Sequence, residues 1–214
     1  MPWKKKSLND AKLYLILDRD VGTYEKLFEI LKQSVQAGVD IVQLRDKKGT
    51  ARDILAFSKQ ALRFLRGRVP YIINDRVDLA LIVAADGVHL GQEDIPITTA
   101  RSRLGAKAIL GTSCQTLAQV RQAQRVGADY IGFGSVFKTL TKPDRAPMDL
   151  RLLQRVVKEA SIPVFAIGGI KVGNVRQLQV AGIGRVAVCR DICLAENVSQ
   201  RTQRFKNILI KSKS

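Results

Sequence analysis

Histidine is almost absent from this chain: His89 is the single one in 214 residues. One imidazole excludes a multi-histidine metal site and any mechanism that hands a proton between two of them. Cysteine is scarce as well. Cys114, Cys189 and Cys193 are odd in number and lack metal-ligand spacing, so they read as small reduced residues. No apolar run reaches the ~18 residues of a membrane span, and Met1–Ser7 is Lys-rich without an apolar signal core. A cytoplasmic protein is the expectation, with no membrane partner. Acidic residues are outnumbered, 19 Asp and Glu against 36 Lys and Arg, for a net charge of +17. That balance suggests anionic partners, either nucleic acid or phosphorylated metabolites. The basic residues are spread along the chain, with modest clusters at Lys4–Lys6 and Lys206–Lys213. No aromatic-interleaved basic motif, zinc-finger or RNP pattern accompanies them. Nucleic acid is therefore not expected, and much of the charge reads as solvated surface.

What is present is an alternation. Short apolar, β-branched runs at Leu13–Asp18, Ile41–Arg45, Tyr71–Asn74, Gly87–Leu90, Ile109–Ser113, Tyr130–Gly134, Pro163–Gly168 and Arg185–Val188 read as strands. Between and after them lie segments of helical period: Tyr24–Ala37, Arg52–Leu65, Thr98–Leu104, Leu117–Val126, Leu150–Ala160, Val175–Ala181 and Ser199–Ile210. Ala37-Gly38, Val126-Gly127 and Ala181-Gly182 supply helix stops just before a strand. Strands alternating with helices imply a parallel sheet, and eight such units fit a single-domain (β/α)₈ TIM barrel over residues 1–214, with tails at 1–10 and 211–214 expected to be poorly ordered. An open doubly wound sheet would want a glycine fingerprint after the first strand; Asp18-Arg19-Asp20 stands there instead.

Barrel chemistry sits at the C-terminal ends of the strands, and the polar residues gather there. The second strand end carries Gln43, Arg45, Asp46 and Lys47; the third Asn74 and Asp75; the fourth His89, Gln92, Glu93 and Asp94; the fifth Ser113. The long sixth loop holds Lys138, Thr139, Thr141, Lys142 and Asp144, the seventh strand ends in Gly168-Gly169, and the eighth in Cys189-Arg190. Gln43 and Arg45 share a face at period two, which a closed barrel turns inward. A buried Arg needs an anion. Arg45, Lys47 and Lys142 around one cavity suit a diphosphate; otherwise they pair with Asp46, Asp75 or Asp94. Asp75 and Asp94 suit Mg²⁺ completed by substrate phosphate, although Asp75 alone reads equally as the cap of a helix Arg76–Val83. Gly168-Gly169 lets backbone N–H groups approach a phosphate.

Gln43-Leu44-Arg45-Asp46-Lys47, Asn74-Asp75, Ala85 to Asp94, Gly111-Thr112-Ser113, Gly127 to Tyr130, Thr139-Leu140-Thr141-Lys142-Pro143-Asp144 and Ile167 to Ile170 together resemble the thiamine-phosphate synthase family. The likeness runs in order from about Leu13 to Ile192, and the ordered set is what makes it specific. The resemblance implies a transferase that joins an aminopyrimidine diphosphate to a thiazole phosphate. It implies Gln43, Arg45, Lys47 and Asn74 as the diphosphate-substrate site, Asp75 and Asp94 as Mg²⁺ ligands, Ser113 beside the pyrimidine and Lys142 on the diphosphate. Thr139, Thr141 and Gly169 would take the thiazole phosphate. Leu44, Asp46, Leu140, Cys189 and Arg190 are carried along as substrate contacts, with Arg45, Lys47, Ser113 and Lys142 as the catalytic set. The family reaction is largely dissociative, diphosphate leaving before the thiazole nitrogen attacks. It needs no histidine base and no nucleophilic cysteine.

Several positions depart from the family pattern. Arg76 stands where a second carboxylate is usual, Gln115 replaces a His, Lys138 a Pro, and Arg190 a Ser at the thiazole-phosphate loop, after Ile183-Gly184-Arg185 in place of Ala-Asp-Gly. Arg190 either grips the phosphate or fills its pocket. Competing readings are a thiazole tautomerase-like barrel, opposed by Arg45, Lys47, Asp75, Asp94, Lys142 and Gln115, and a non-catalytic polyanion-binding protein, which would bind with steep salt dependence. Monomer and homodimer both remain open.

Overall fold

In the computed structural model, which describes residues 8–139 and 146–210, eight parallel strands close into a barrel in strict chain order. They are β1 (Leu13–Asp18), β2 (Ile41–Arg45), β3 (Tyr71–Asn74), β4 (Gly87–Leu90), β5 (Ile109–Cys114), β6 (Tyr130–Phe133), β7 (Val164–Ile167) and β8 (Val186–Val188), which pairs back onto β1. The helices are α1 (Tyr24–Gln36), α2 (Ala51–Leu65), α3 (Val77–Val83), α4 (Ile97–Leu104), α5 (Leu117–Arg125), α6 (Leu150–Glu159), α7 (Val175–Val180), α8 (Arg190–Cys193) and α9 (Val198–Ile210).

Period two explains how nearly all-apolar strands serve two cores. On β1, Leu13, Leu15 and Leu17 join the large outer core beneath the helices, while Tyr14 and Ile16 enter a separate inner core with Ile41, Ile72, Ile109, Tyr130 and Phe165. Helical stripes close the outer core: Leu27, Ile30 and Leu31 on α1, and Ile54, Phe57 and Ala61 on α2. In the inner core Tyr14, Tyr130 and Phe165 meet edge to face, with centroids 5.5 to 5.8 Å apart, a favourable arrangement of ring quadrupoles. Space for Tyr130 comes from its register partner Gly111: a Cβ there would lie 2.0 Å from Tyr130 Cζ. Leu8 and Ala11 also pack into this inner core at 2 % exposure each. Leu8, expected within a poorly ordered tail over residues 1–10, is instead part of the packed core.

The bottom rim repeats one device. Asp40, Asp86 and Asp129 each precede an even-numbered strand and accept an N–H at or beside the start of the strand before it. Asp40 takes Leu13 N at 2.8 Å, Asp86 takes Tyr71 N at 2.8 Å, and Asp129 takes Leu110 N at 2.8 Å while pairing with Arg101 at 2.7 Å. The strand starts would otherwise leave donors without partners. Residues from the Ala85-Asp86 and Gly127-Ala128-Asp129 strings therefore hold the barrel together at the end opposite the chemistry.

Helix α3 starts at Val77, with Arg76 at its N-cap position making no side-chain cap; Asp75 does not cap it. Of the eighth strand end, Cys189 is the N-cap position and Arg190 the first residue of the short α8.

Candidate active site

The C-terminal mouth of the barrel opens into a cavity of about 510 Å³. Its floor is lined by Tyr14, Ile16, Gln43, His89, Ser113 and Phe165; Arg45 and Asn74 stand on one side, and Lys138, Thr139, Gly168, Gly169, Cys189 and Arg190 on the other. Of the expected site residues within the described chain, Gln43, Arg45, Asn74, Ser113, Thr139, Gly169, Cys189 and Arg190 therefore share one cavity. Leu140, Thr141 and Lys142 lie outside the described residues.

Two expected contacts are corrected by strand alternation. Leu44 and Asp46 point opposite to Gln43 and Arg45. Leu44 is 1 % exposed in the outer core. Asp46 accepts from Tyr24 Oη at 2.5 Å, Lys48 N at 2.9 Å and Gly49 N at 2.6 Å. These bonds shape the turn before α2 and hold the carboxyl below its usual range against the opposing effect of burial.

Arg45 does have its buried anion, but not one of the expected carboxylates. Its guanidinium meets Asp18 at 2.7 Å and Asp20 at 3.7 Å. Asp18 is the register partner of Arg45 across β1 and β2, so the pair is built by sheet registration. The fork has five donors, and the bond to Asp18 occupies only part of it. Lys47 lies at the rim, its Nζ 3.0 Å from Asp75.

Asp75 adopts a left-handed φ of 61°, and its N–H donates to His89 O at 2.9 Å. That turn places its carboxyl against Asp94, whose own position is fixed by Gly91 N at 2.6 Å. Burial first, and the neighbouring Asp75 second, push the Asp94 carboxyl above its ordinary range. Two carboxylates held together against their mutual repulsion form a hard oxygen donor set of the kind that suits a divalent cation. Among the described residues no group of three or more His, Cys, Asp or Glu could hold a metal; a cation here would need further oxygens from phosphate or water.

At the opposite side the backbone approaches closely. Gly168 and Gly169 have φ of 101° and 63°, and a Cβ on Gly169 would come within 2.4 Å of Lys138 O. Side chains are excluded there and main-chain groups form the wall. Lys171, Arg190 and Arg201 add cations to the lining. Arg201 is committed to Asp191 at 2.9 Å, whereas Arg190 has no ion-pair partner among the described residues.

Sequence reasoning missed the floor. Tyr14 and Tyr130 were absorbed into apolar strands, yet their hydroxyls meet at 2.8 Å and connect to Gln43 and His89. The available signal was on β1, where Tyr14 and Asp18 are the polar members of one alternating face.

A closed eight-stranded parallel barrel with a cavity at its C-terminal mouth, lined by Arg, Lys and a glycine turn and flanked at the rim by paired carboxylates, defines the class: a (β/α)₈ barrel with its site where such enzymes carry their chemistry. A family model described as thiamine monophosphate synthase matches residues 13–192, and the chain belongs to that family of transferases. It is 40 % identical to thiamine-phosphate synthase of Halalkalibacterium halodurans over 205 residues, covering 94 % of this chain and 97 % of the relative. Identity to the synthase of Ruminiclostridium cellulolyticum is 38 % over 209 residues, 96 % and 98 % of the two chains. Among solved structures, thiamine phosphate pyrophosphorylase from Pyrococcus furiosus superposes with a TM-score of 0.86 at 34 % identity, covering 96 % and 98 %. No helix among the described residues is long and apolar enough to cross a membrane.

Proposed function

We propose that this barrel condenses 4-amino-2-methyl-5-hydroxymethylpyrimidine diphosphate with hydroxyethylthiazole phosphate, giving thiamine phosphate and diphosphate by a dissociative substitution. The observation that carries it is the division of one cavity. Arg45 lines it on the side of β2, with Lys47, Asp75 and Asp94 grouped at the neighbouring rim, and the glycine turn with Arg190 lies on the side of β7 and β8.

Gln43, Asn74 and Ser113 hold the pyrimidine, and Arg45 and Lys47, with Lys142, hold its diphosphate. The bond between the pyrimidine methylene carbon and the diphosphate oxygen breaks first, the oxygen keeping the electron pair. Arg45 and Lys47 stabilise the negative charge that develops there. The methylene cation is spread over the aminopyrimidine ring, and the thiazole nitrogen donates its lone pair to form the new C–N bond. Thr139, Thr141, Gly169 and Arg190 orient the thiazole phosphate for that attack. Arg190 takes over the phosphate contact in place of the family's Ser, because a guanidinium forks onto phosphate oxygens. Asp75 and Asp94 would hold Mg²⁺, which when bound neutralises charge on the departing diphosphate. Small phosphorylated metabolites, rather than nucleic acid, are the partners of this site.

The test is product formation from the two substrates with and without Mg²⁺, read as thiamine phosphate. Metal-dependent product is expected. No product, with calorimetry still showing diphosphate-substrate binding, would overturn the assignment of the second substrate.

A further inference from the structure

Between Gln43 and Ser113 the cavity floor holds an unbroken polar line whose middle members, Tyr14, Tyr130 and His89, have no part in the reaction above. Gln43 Nε2 donates to Tyr14 Oη at 2.7 Å, Tyr14 Oη lies 2.8 Å from Tyr130 Oη, and Tyr130 Oη lies 3.0 Å from His89 Nδ1. His89 Nε2 in turn lies 2.9 Å from Ser113 Oγ. Tyr14, Tyr130, Gln43 and His89 are all buried, at 2 %, 0 %, 2 % and 6 % exposure. Burial also pushes both phenols well above their ordinary pKa, so they remain neutral hydroxyls with one proton each.

One proton per hydroxyl makes the line directional. An amide nitrogen only donates, so the Gln43 orientation that sets Nε2 on Tyr14 has Tyr14 accept there and give its own proton to Tyr130; the opposite amide orientation would reverse the line. Tyr130 then donates to His89 Nδ1. A neutral imidazole whose Nδ1 accepts carries its proton on Nε2, and that N–H donates to Ser113 Oγ. The Ser113 proton is left for the cavity. At the other end Gln43, with its nitrogen turned to Tyr14, keeps Oε1 as the atom turned away from that hydroxyl.

We propose that Tyr14, Tyr130 and His89 are positioning residues that fix the Nε2–H tautomer of His89. They thereby present the ligand with an acceptor at Gln43 Oε1 and a donor at Ser113 Oγ. A 4-aminopyrimidine has the complementary groups, an exocyclic amine to donate to Gln43 Oε1 and a ring nitrogen to accept from Ser113 Oγ. A 4-oxo analogue sets its carbonyl against Gln43 Oε1, acceptor to acceptor, and is rejected. The specificity half rests on the pyrimidine reading of the cavity; the tautomer half rests on the distances alone. The fit of Tyr130 over Gly111, where a Cβ would lie 2.4 Å from the hydroxyl oxygen, locks the central member in place.

Because His89 is the only histidine in the chain, ¹⁵N-histidine labelling of the full-length protein gives the imidazole spectrum of this residue alone. The expected result at neutral pH is a protonated Nε2 and an unprotonated Nδ1. An Nδ1–H tautomer or a doubly protonated ring overturns the relay. In Tyr130→Phe the Nδ1 partner is gone. The ring is expected to become a tautomer mixture, and the binding preference for the aminopyrimidine over its 4-oxo analogue, by calorimetry, to fall roughly tenfold, about one hydrogen bond's worth. An unchanged preference overturns the specificity half. The wild-type spectrum decides the relay even if that variant fails to fold. An Nε2–H ring in a protein that binds neither pyrimidine overturns the specificity half through the pyrimidine reading and supports the relay. Thiamine phosphate formed by a protein with an Nδ1–H ring overturns the relay and leaves that reading intact.

Discussion

The two rims of the barrel set the same residue type in different surroundings. At the bottom, Asp40, Asp86 and Asp129 each accept backbone donors at strand starts, and Asp40 and Asp129 also pair with Lys206 at 2.6 Å and Arg101 at 2.7 Å. At the top, Asp75 and Asp94 crowd each other, with Lys47 as the ion-pair partner of Asp75, and Arg190 has no ion-pair partner among the described residues. All three bottom-rim aspartates are bonded to strand-start donors, even Asp86, which burial lifts above its usual range without a cation beside it among the described residues, while at the top rim two carboxylates press on each other with one lysine beside them. A carboxylate's neighbours, more than its identity, decide whether it serves stability or chemistry.

That contrast can be broken by exchange of single groups. The largest effect is expected for Asp94→Asn: product formation should fall about 100-fold or more, the scale of removing one preorganised electrostatic group, and the response to Mg²⁺ should be lost, with Tm nearly unchanged. A large loss of Tm at full activity would place Asp94 with the bottom rim. Asp129→Ala should do the reverse. It removes the acceptor of Leu110 N and the partner of Arg101, so denaturant melts should show a loss of about 1–3 kcal/mol, with kcat at 25 °C preserved. Arg190→Ser sharpens the comparison within the top rim. The Michaelis constant for the thiazole phosphate is expected to rise roughly tenfold, the worth of one charge-assisted hydrogen bond, while that for the pyrimidine diphosphate stays put; a fall would mean that Arg190 blocks the pocket. Smallest is Glu159→Gln on the helix layer between the rims. Glu159 bridges Arg121 at 3.0 Å and Arg155 at 2.7 Å, but exposed pairs are solvent-screened, and neither Tm nor turnover should change.

The strands were legible because each is a short apolar run stopped by a polar residue; β1, β2, β3 and β4 have the bounds that the sequence suggests. Site residues that share the inward face of β2, Gln43 and Arg45, were legible for the same reason. Leu44 and Asp46 were carried in by the motif that contains them, and alternation turns them out of the cavity. Asp18 escaped notice because its role depends on registration with Arg45 across two strands. The floor escaped it because Tyr14 and Tyr130 are 116 positions apart and read as apolar until their hydroxyls meet.

By itself the sequence determined the alternation of eight strands with helices, the inward periodicity, the excess of cations, and the single imidazole, because these depend on local pattern and composition. Only the tertiary structure decided which anion faces Arg45, which aspartates hold strand starts, and in which order five polar side chains join beneath the cavity. Closing the sheet brings residues of β1, β2, β4, β5 and β6 to one point inside it. A hydrogen bond there depends on the register of several strands at once, which no local pattern encodes.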